Sequence, residues 1–221
     1  MRIVVTGSAA GMGHAIAHKF LENGHEVYGI DLLPKPGDFD KFLLYHHRIC
    51  NIVNKDEMPE ITGVNILINN AGMQGSGMDI DVNLKGTMNA TEKYALNNPD
   101  IQAVLNQAAA SAHMGTEYDE YVASKGGVIA YTRWVAKEIA PMGAVCNSLS
   151  FGGVLTEVNK PVTENPELWD QVMELTPLKH WTTEKEVASW VYFMTVINKS
   201  CSGQDIVIDN LESLNGVFVW E

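Results

Sequence analysis

The sequence is poor in cysteine and in positive charge, and it contains no long apolar run. Its three cysteines, Cys50, Cys146 and Cys201, are widely spaced and form no C-x-x-C. That pattern gives neither a disulfide framework nor zinc-ligand spacing, so no metal is expected, and the thiols read as small buried hydrophobes in a reducing compartment. Lysine and arginine total 15 against 27 aspartates and glutamates, a formal net charge of −12. Nucleic acids and anionic membranes reward basic stripes, so neither is expected as a partner. The apolar stretch after Met1 is too short for a signal-peptide core or a membrane span, which makes cytoplasmic residence the expectation. Repeats, charge blocks and low-complexity tracts are also missing, and nothing marks a domain boundary. The 221 residues read as one domain, 1–221.

What is present is an alternation. Short runs rich in β-branched residues at 2–6, 26–30, 43–49, 65–69, 103–107, 144–148 and 205–208 are separated by segments of helical period at 14–23, 79–97, 119–140 and 183–198. Strands alternating with helices build βαβ units, so the expected fold is α/β, a seven-stranded parallel sheet with helices on both faces. Residues 34–38 hold two prolines and a glycine and read as a loop. The segment 119–140 is apolar on two sides, with Val122, Ile129, Val135 and Ile139 on one and Ala123, Ala130 and Trp134 on the other. Such a helix needs two partners, the sheet and a second subunit, so a homodimer or homotetramer through 79–97 and 119–140 is expected. Within the tail 211–221, residues 217–220 are too apolar to hang in water and are expected to dock on this chain or a neighbour.

The first strand runs into Thr6-Gly7-Ser8-Ala9-Ala10-Gly11-Met12-Gly13 and then into a helix. Gly7 permits the tight turn, Gly11 lets backbone approach a pyrophosphate, and Gly13 allows close helix packing, while the N–H groups of the helix start face phosphate oxygens. At the first βα junction this is the mark of a Rossmann-type, doubly wound dinucleotide fold. Asp31 follows Gly7 by 24 residues, at the end of the second strand, where an acid accepts from the adenosine ribose and repels a 2′-phosphate. With no Arg or Lys among Ser8, Ala9 and Ala10 to neutralise such a phosphate, NAD is expected over NADP.

Four motifs together, the glycine turn, Asn69-Asn70-Ala71-Gly72, Val82-Asn83, and Tyr121-Val122-Ala123-Ser124-Lys125, make the chain resemble the classical short-chain dehydrogenases/reductases over nearly its whole length. The resemblance implies an oxidoreductase that exchanges hydride between NAD and a secondary alcohol or ketone. Tyr121 is then the acid/base. A phenol is a weak base at neutral pH, and Lys125, one helical turn later, supplies the positive charge that favours its phenolate. By the same resemblance Lys125 binds the nicotinamide ribose and Asn83 holds a water that relays protons to it. The implied cofactor contacts are Gly7, Ser8, Gly11, Met12, Gly13, Asp31, Asn51, Ile52, Asn70, Ala71, Gly72, Tyr121, Lys125, Val154 and Thr156.

One position departs from the pattern. Counting back 13 residues from Tyr121, where the family carries its catalytic serine, reaches Ala108. Alanine cannot hydrogen-bond a developing alkoxide, which typically costs a few kcal/mol of transition-state stabilisation. The alanine is an introduced serine-to-alanine change, the sign of an impaired or atypical member, or is offset by Ser111 reaching in from the next loop. The stretch between Asn70 and Asn83 is also shorter than the family usually has, which leaves the substrate mouth open there or covered by another subunit. Its expected walls are Met73, His113, Met114 and Phe151, with a substrate lid near 154–181. Met and aromatic walls suit an apolar alcohol, and the stretch 110–113 resembles compact hydroxysteroid dehydrogenases, but a polyol or sugar stays open. The alternative from another class is a catalytically impaired NAD-binding module serving as a sensor or structural subunit.

Overall fold

The computed structural model describes residues 1–214, so the expectation for 217–220 lies outside the described residues. Among the described residues nine strands form, β1 Arg2–Thr6, β2 Glu26–Asp31, β3 Tyr45–Ile49, β4 Ile66–Asn69, β5 Ala103–Ala109, β6 Val145–Phe151, β7 Val154–Leu155, β8 Thr182–Thr183 and β9 Asp205–Ile208. Seven of them make one parallel sheet in the order β3-β2-β1-β4-β5-β6-β9. The chain reverses direction across the sheet between β1 and β4, and the crevice at the carboxyl ends of these two strands is where such a fold receives ligands.

The main helices are α1 Gly11–Glu22, α2 Thr87–Tyr94, the short α3 Ser111–Met114, α4 Asp119–Ile139, α5 Lys160–Thr163, α6 Pro166–Leu175 and α7 Glu184–Tyr192. One face of the sheet buries Ile3, Val5, Leu105 and Leu149 against Ile16 and Phe20 of α1 and Val187 and Val191 of α7. The opposite face buries Val4, Leu67, Val104 and Cys146 against Ala90 and Tyr94 of α2 and Val135 and Ile139 of α4. Both layers are apolar, so the central strands read as continuous hydrophobic runs, as buried parallel strands must.

Two helices differ from their expected form. The segment 79–97 begins as a π-helix, Ile80–Gly86, and continues as α2 only to Tyr94. It stops there because Asn97 turns left-handed (φ 62°) and Asn98 donates its side-chain amide to the carbonyls of Tyr94 and Val64. The segment 183–198 opens on a capping box between Thr183 and Glu186 and ends as a second π-helical turn, Phe193–Ile197. β3 starts at Tyr45 rather than at residue 43, since Leu43 is almost fully exposed.

The switch point is locked by side chains. Thr6 Oγ1 accepts the N–H groups of Asn70 and Ala71 (both 3.1 Å), and Asn70 Nδ2 donates to the carbonyls of Thr6 (3.1 Å) and Gly7 (3.0 Å). A Cβ on Gly13 would sit 1.8 Å from Gly7 O and 2.5 Å from Asn70 Nδ2, both parts of that lock. Neither atom can retreat without breaking it. Gly13→Ala is therefore expected to destabilise the fold by about 3 kcal/mol or more, at the upper end for overpacking. Equilibrium unfolding in urea checks this, and a loss below about 1 kcal/mol would mean the turn yields.

Candidate active site

The glycine turn leaves β1 with Gly7 at φ 67° and its N–H bonded to Ile30 O (2.8 Å). Gly11, at φ 54°, has open space around it, and an added Cβ would come no nearer than 3.8 Å, to Thr156 Cγ2. No side chain caps α1, so the first N–H groups of that helix, including those of Met12 and Gly13, lack a side-chain partner. A concave turn of unpaired N–H groups, open on its Gly11 side, fits a pyrophosphate. Val154 and Thr156 form the far wall, with Val154 itself packed into the core.

Asp31 closes the turn from the other side. Its Oδ2 accepts from Ala9 N–H (2.8 Å) and its Oδ1 from Leu33 N–H (2.9 Å), so the carboxylate is fixed at the rim beside the turn. Ser8 behaves differently from expectation. Its hydroxyl is fully buried and bonded to the Tyr45 hydroxyl at 3.0 Å, which leaves only its backbone to face a ligand. Asn51 Oδ1 accepts from Val53 N–H (3.0 Å), and Ile52 is buried beside Gly86, with its carbonyl bonded by Asn89 (3.0 Å). That pair shapes the turn after β3 and presents little side chain outward.

The acid/base residues meet at the amino-terminal half of α4. Lys125 is buried, and its Nζ donates to Gln107 O on β5 at 2.9 Å while lying 5.7 Å from the centre of the Tyr121 ring. Burial pushes the Lys125 ammonium down to about 8, against the pull of Asp79 in the other direction. Burial raises the Tyr121 phenol well above its ordinary value, and the carboxylates of Glu117 and Asp79 raise it further. Asp79 works against its own burial: the N–H and hydroxyl of Ser76 and the N–H of Gly75 hold its carboxyl below the usual range.

Asn83 lies in the π-helical turn, where its side chain grips residue 73 on both sides. Oδ1 accepts from Met73 N–H (2.8 Å), and Nδ2 donates to Met73 O (2.9 Å) and to Ser124 Oγ (3.0 Å). Ser124 in turn donates to Tyr121 O at 2.7 Å, so one chain of bonds joins the loop after β4 to the tyrosine. Gly72 is closed in by the same residues, since a Cβ there would lie 3.1 Å from Asn83 Oδ1 and 3.5 Å from Lys125 Nζ. A π-bulge at such a place fits the tendency of these distortions to occur at functional sites. Sequence reasoning missed Ser124, Gln107 and Asp79. Ser124 stood inside the quoted Tyr-to-Lys motif, whereas Gln107 and Asp79 carried no local signal.

Three expected positions are corrected. Phe151 is buried in the core with Leu149 and Val187 and is not a pocket wall. His113 turns its Nε2 onto Asp205 (2.7 Å), a carboxylate that also accepts from Ser148 and Ser150, so its polar tip is committed to the edge of the sheet. The mouth between Asn70 and Asn83 is bridged by this chain itself: the Tyr118 ring lies against Gly75, and Gln74 donates to Glu117. Met73 and Met114 remain partly exposed, at 41% and 38%.

Ala108 packs against Val128, Ile129, Leu84 and Ala112. Strand alternation turns Gln107 and Ala109 to the other face, and the methyl side chains of Ala108 and Ala109 bring no hydroxyl to the end of β5. Ser111 Oγ is buried and has no hydrogen-bond partner among the described residues. Residues 154–181 leave β6, form α5 and α6, and return so that β8 pairs with β7, with Trp181 Nε1 anchored on Glu212 at 2.8 Å.

A glycine turn at the switch point, facing a Tyr–Lys pair rooted in α4, defines a dinucleotide-binding oxidoreductase. A family model described as enoyl-(acyl carrier protein) reductase matches residues 55–210. The chain belongs to the classical short-chain dehydrogenase/reductase family. It is 27% identical to the 3-oxoacyl-[acyl-carrier-protein] reductase FabG of Staphylococcus epidermidis, over 93% of this chain and 96% of that one. Its fold is similar to 4-hydroxyisoleucine dehydrogenase complexed with NADH, at a TM-score of 0.82 and 24% identity over 95% of this chain and 97% of that one. It is also similar to the RhlG/NADP active-site complex of Pseudomonas aeruginosa, at a TM-score of 0.82 and 18% identity over 96% of each. Among the described residues no helix is long and apolar enough to cross a membrane.

The buried ammonium gives a pH signature. Lys125 loses its proton near pH 8 when folded and only near its ordinary value of 10.5 when unfolded. Across that window the unfolded chain binds more protons, so stability rises with pH, by about 3 kcal/mol from this group. The unfolding free energy of the protein minus that of Lys125→Met is expected to grow between pH 8 and pH 10, and a difference that stays flat would show an unperturbed lysine.

Proposed function

We propose that this protein is an NAD(H)-dependent oxidoreductase that interconverts a secondary alcohol and a ketone in the cytoplasm, with Tyr121 as the acid/base. The observation that carries the reading is Lys125, a buried ammonium tied to Gln107 O beside the Tyr121 ring. It stands beside the residue whose proton must move. When bound, the nicotinamide supplies or accepts the hydride. The chain supplies the rest. The phenol, raised by burial, arrives protonated, the form that donates to a carbonyl oxygen receiving hydride. In the reverse direction Lys125 lowers the cost of the phenolate, and the grip of Asn83 on Met73 keeps the loop in place. Ser111, with its unpartnered hydroxyl, stands in for the serine missing at Ala108.

Asp31 supports NAD over NADP, because both its oxygens are pinned at the rim where a 2′-phosphate would repel them. The NADH-bound neighbour shares this fold, as does the NADP-bound one, so the choice rests on Asp31. Met73 and Met114, with the exposed Val158 and Leu168 of the segment 154–181, favour an apolar or amphipathic substrate closed in by that segment as a lid. On α4, Ala123, Ala130 and Trp134 all face outward, and Trp134 is stacked on Tyr131, which supports pairing with a second copy.

Two measurements test this reading. NADH is expected to bind at least about tenfold more tightly than NADPH, with Asp31→Ala narrowing the gap, and the opposite preference would remove the role of Asp31. Ala108→Ser is expected to leave ketone reduction within a few fold, while Ser111→Ala cuts kcat by about 100-fold, the scale of losing one donor to the reacting oxygen. If Ala108→Ser instead raised kcat by that factor, the site would be an impaired one lacking its donor.

A further inference from the structure

Gln107 lies beside the Tyr–Lys pair, and the described residues leave its side-chain amide without an explanation. It is 4% exposed, yet both ends of its amide, Nε2 and Oε1, have no hydrogen-bond partner among the described residues. Its backbone oxygen is the atom that Lys125 holds, so the residue sits at the base of the site. The direction of its side chain follows from the strand. Asn106 donates to Thr132 of α4, and Ala108 packs on Val128 and Ile129 of the same helix. Alternation turns Gln107 to the opposite face, where Leu105 and Leu149, the register partner of Gln107, share one cluster with Met12 of the glycine turn and Val154 of the far wall. The neighbouring strand continues past the pair Asn69–Asn106 to Asn70, whose Oδ1 is likewise buried and unpartnered.

A buried primary amide with both ends unfilled is a cost to the fold that an apolar side chain of the same length would avoid. Its face of the strand is the one packed against Met12 of the glycine turn and against Val154. A ligand group offering both a donor and an acceptor there removes the penalty. The nicotinamide nucleoside carries such groups in its carboxamide and ribose hydroxyls, and a carboxamide meets both ends of a primary amide at once, which the single oxygen of an alcohol or ketone does not. We propose that the Gln107 side-chain amide hydrogen-bonds the nicotinamide nucleoside end of the bound dinucleotide and fixes its orientation. This rests on the reading of the cleft as a dinucleotide site.

The test compares the protein with Gln107→Met, an unbranched replacement of similar volume. Each is titrated calorimetrically with NADH or NADPH, whichever the unaltered protein holds more tightly, and with the matching ADP-ribose, which lacks the nicotinamide. Each is also melted without ligand. Gln107→Met is expected to weaken the dinucleotide about tenfold, to leave the ADP-ribose affinity unchanged, and to melt no lower than the unaltered protein. Equal dinucleotide affinity in the two proteins overturns the assignment, as does a parallel loss for both ligands or a lower melting point, either of which would make Gln107 a structural residue. If the unaltered protein binds neither dinucleotide nor ADP-ribose, the reading of the cleft itself falls, and the assignment with it.

Discussion

Lys125 holds a positive charge where almost no water reaches it, and much of the site is arranged around that charge. Burying an ammonium disfavours its charged form, and the fold offsets this with one carbonyl, Gln107 O, and the field of Asp79. The bond to Gln107 joins α4 to the end of β5, so the helix carrying Tyr121 cannot drift from the sheet without leaving the ammonium bare. Asp79 is itself held by the turn at Gly75 and Ser76, which also seats the Tyr118 ring. The compressed connection before the π-helical turn thus serves the electrostatics of the lysine and the shape of the mouth together.

A second lock, made of neutral groups, sits at the switch point. Thr6 and Asn70 fasten β1 to the start of the loop after β4, and Asp31 fastens the end of β2 to the glycine turn. These bonds leave the N–H groups of the α1 start unused, which is what an anionic ligand requires. The acidic balance of the whole chain is compatible with binding an anion because backbone dipoles provide the attraction locally. Asn83 connects the two locks through Met73 and Ser124.

The sheet and its helices could be read from the sequence because β-branched runs such as those around Val4 and Ile68 are buried on both faces, and such burial leaves a compositional trace. The glycine turn could be read because three glycines each meet a separate steric demand. Tertiary bonds without local signatures could not be read. Ser8 looked like a ligand contact until Tyr45, 37 residues away, took its hydroxyl. His113 looked like a pocket residue until Asp205, 92 residues away, took its ring nitrogen. Phe151 has the same composition whether it lines a pocket or fills the core, and only burial decides. The π-helical start of the segment at Asn83 was equally hidden, since its apolar spacing is that of an ordinary helix.

The end of β5 carries alanines at 108 and 109 and, at 107, an amide that no described residue fills. A site with an intact Tyr–Lys pair but no serine on the strand either transfers hydride with donors recruited from Ser111, or binds the dinucleotide without using it. Single-turnover oxidation of the bound reduced dinucleotide by a panel of ketones, read by its nicotinamide fluorescence, separates the two directly. The expected result is ketone-dependent loss of fluorescence that falls by at least about a hundredfold in Tyr121→Phe, the scale of losing a general acid. Tight dinucleotide binding with no ketone-dependent oxidation, or equal rates in the two proteins, would contradict the role of Tyr121.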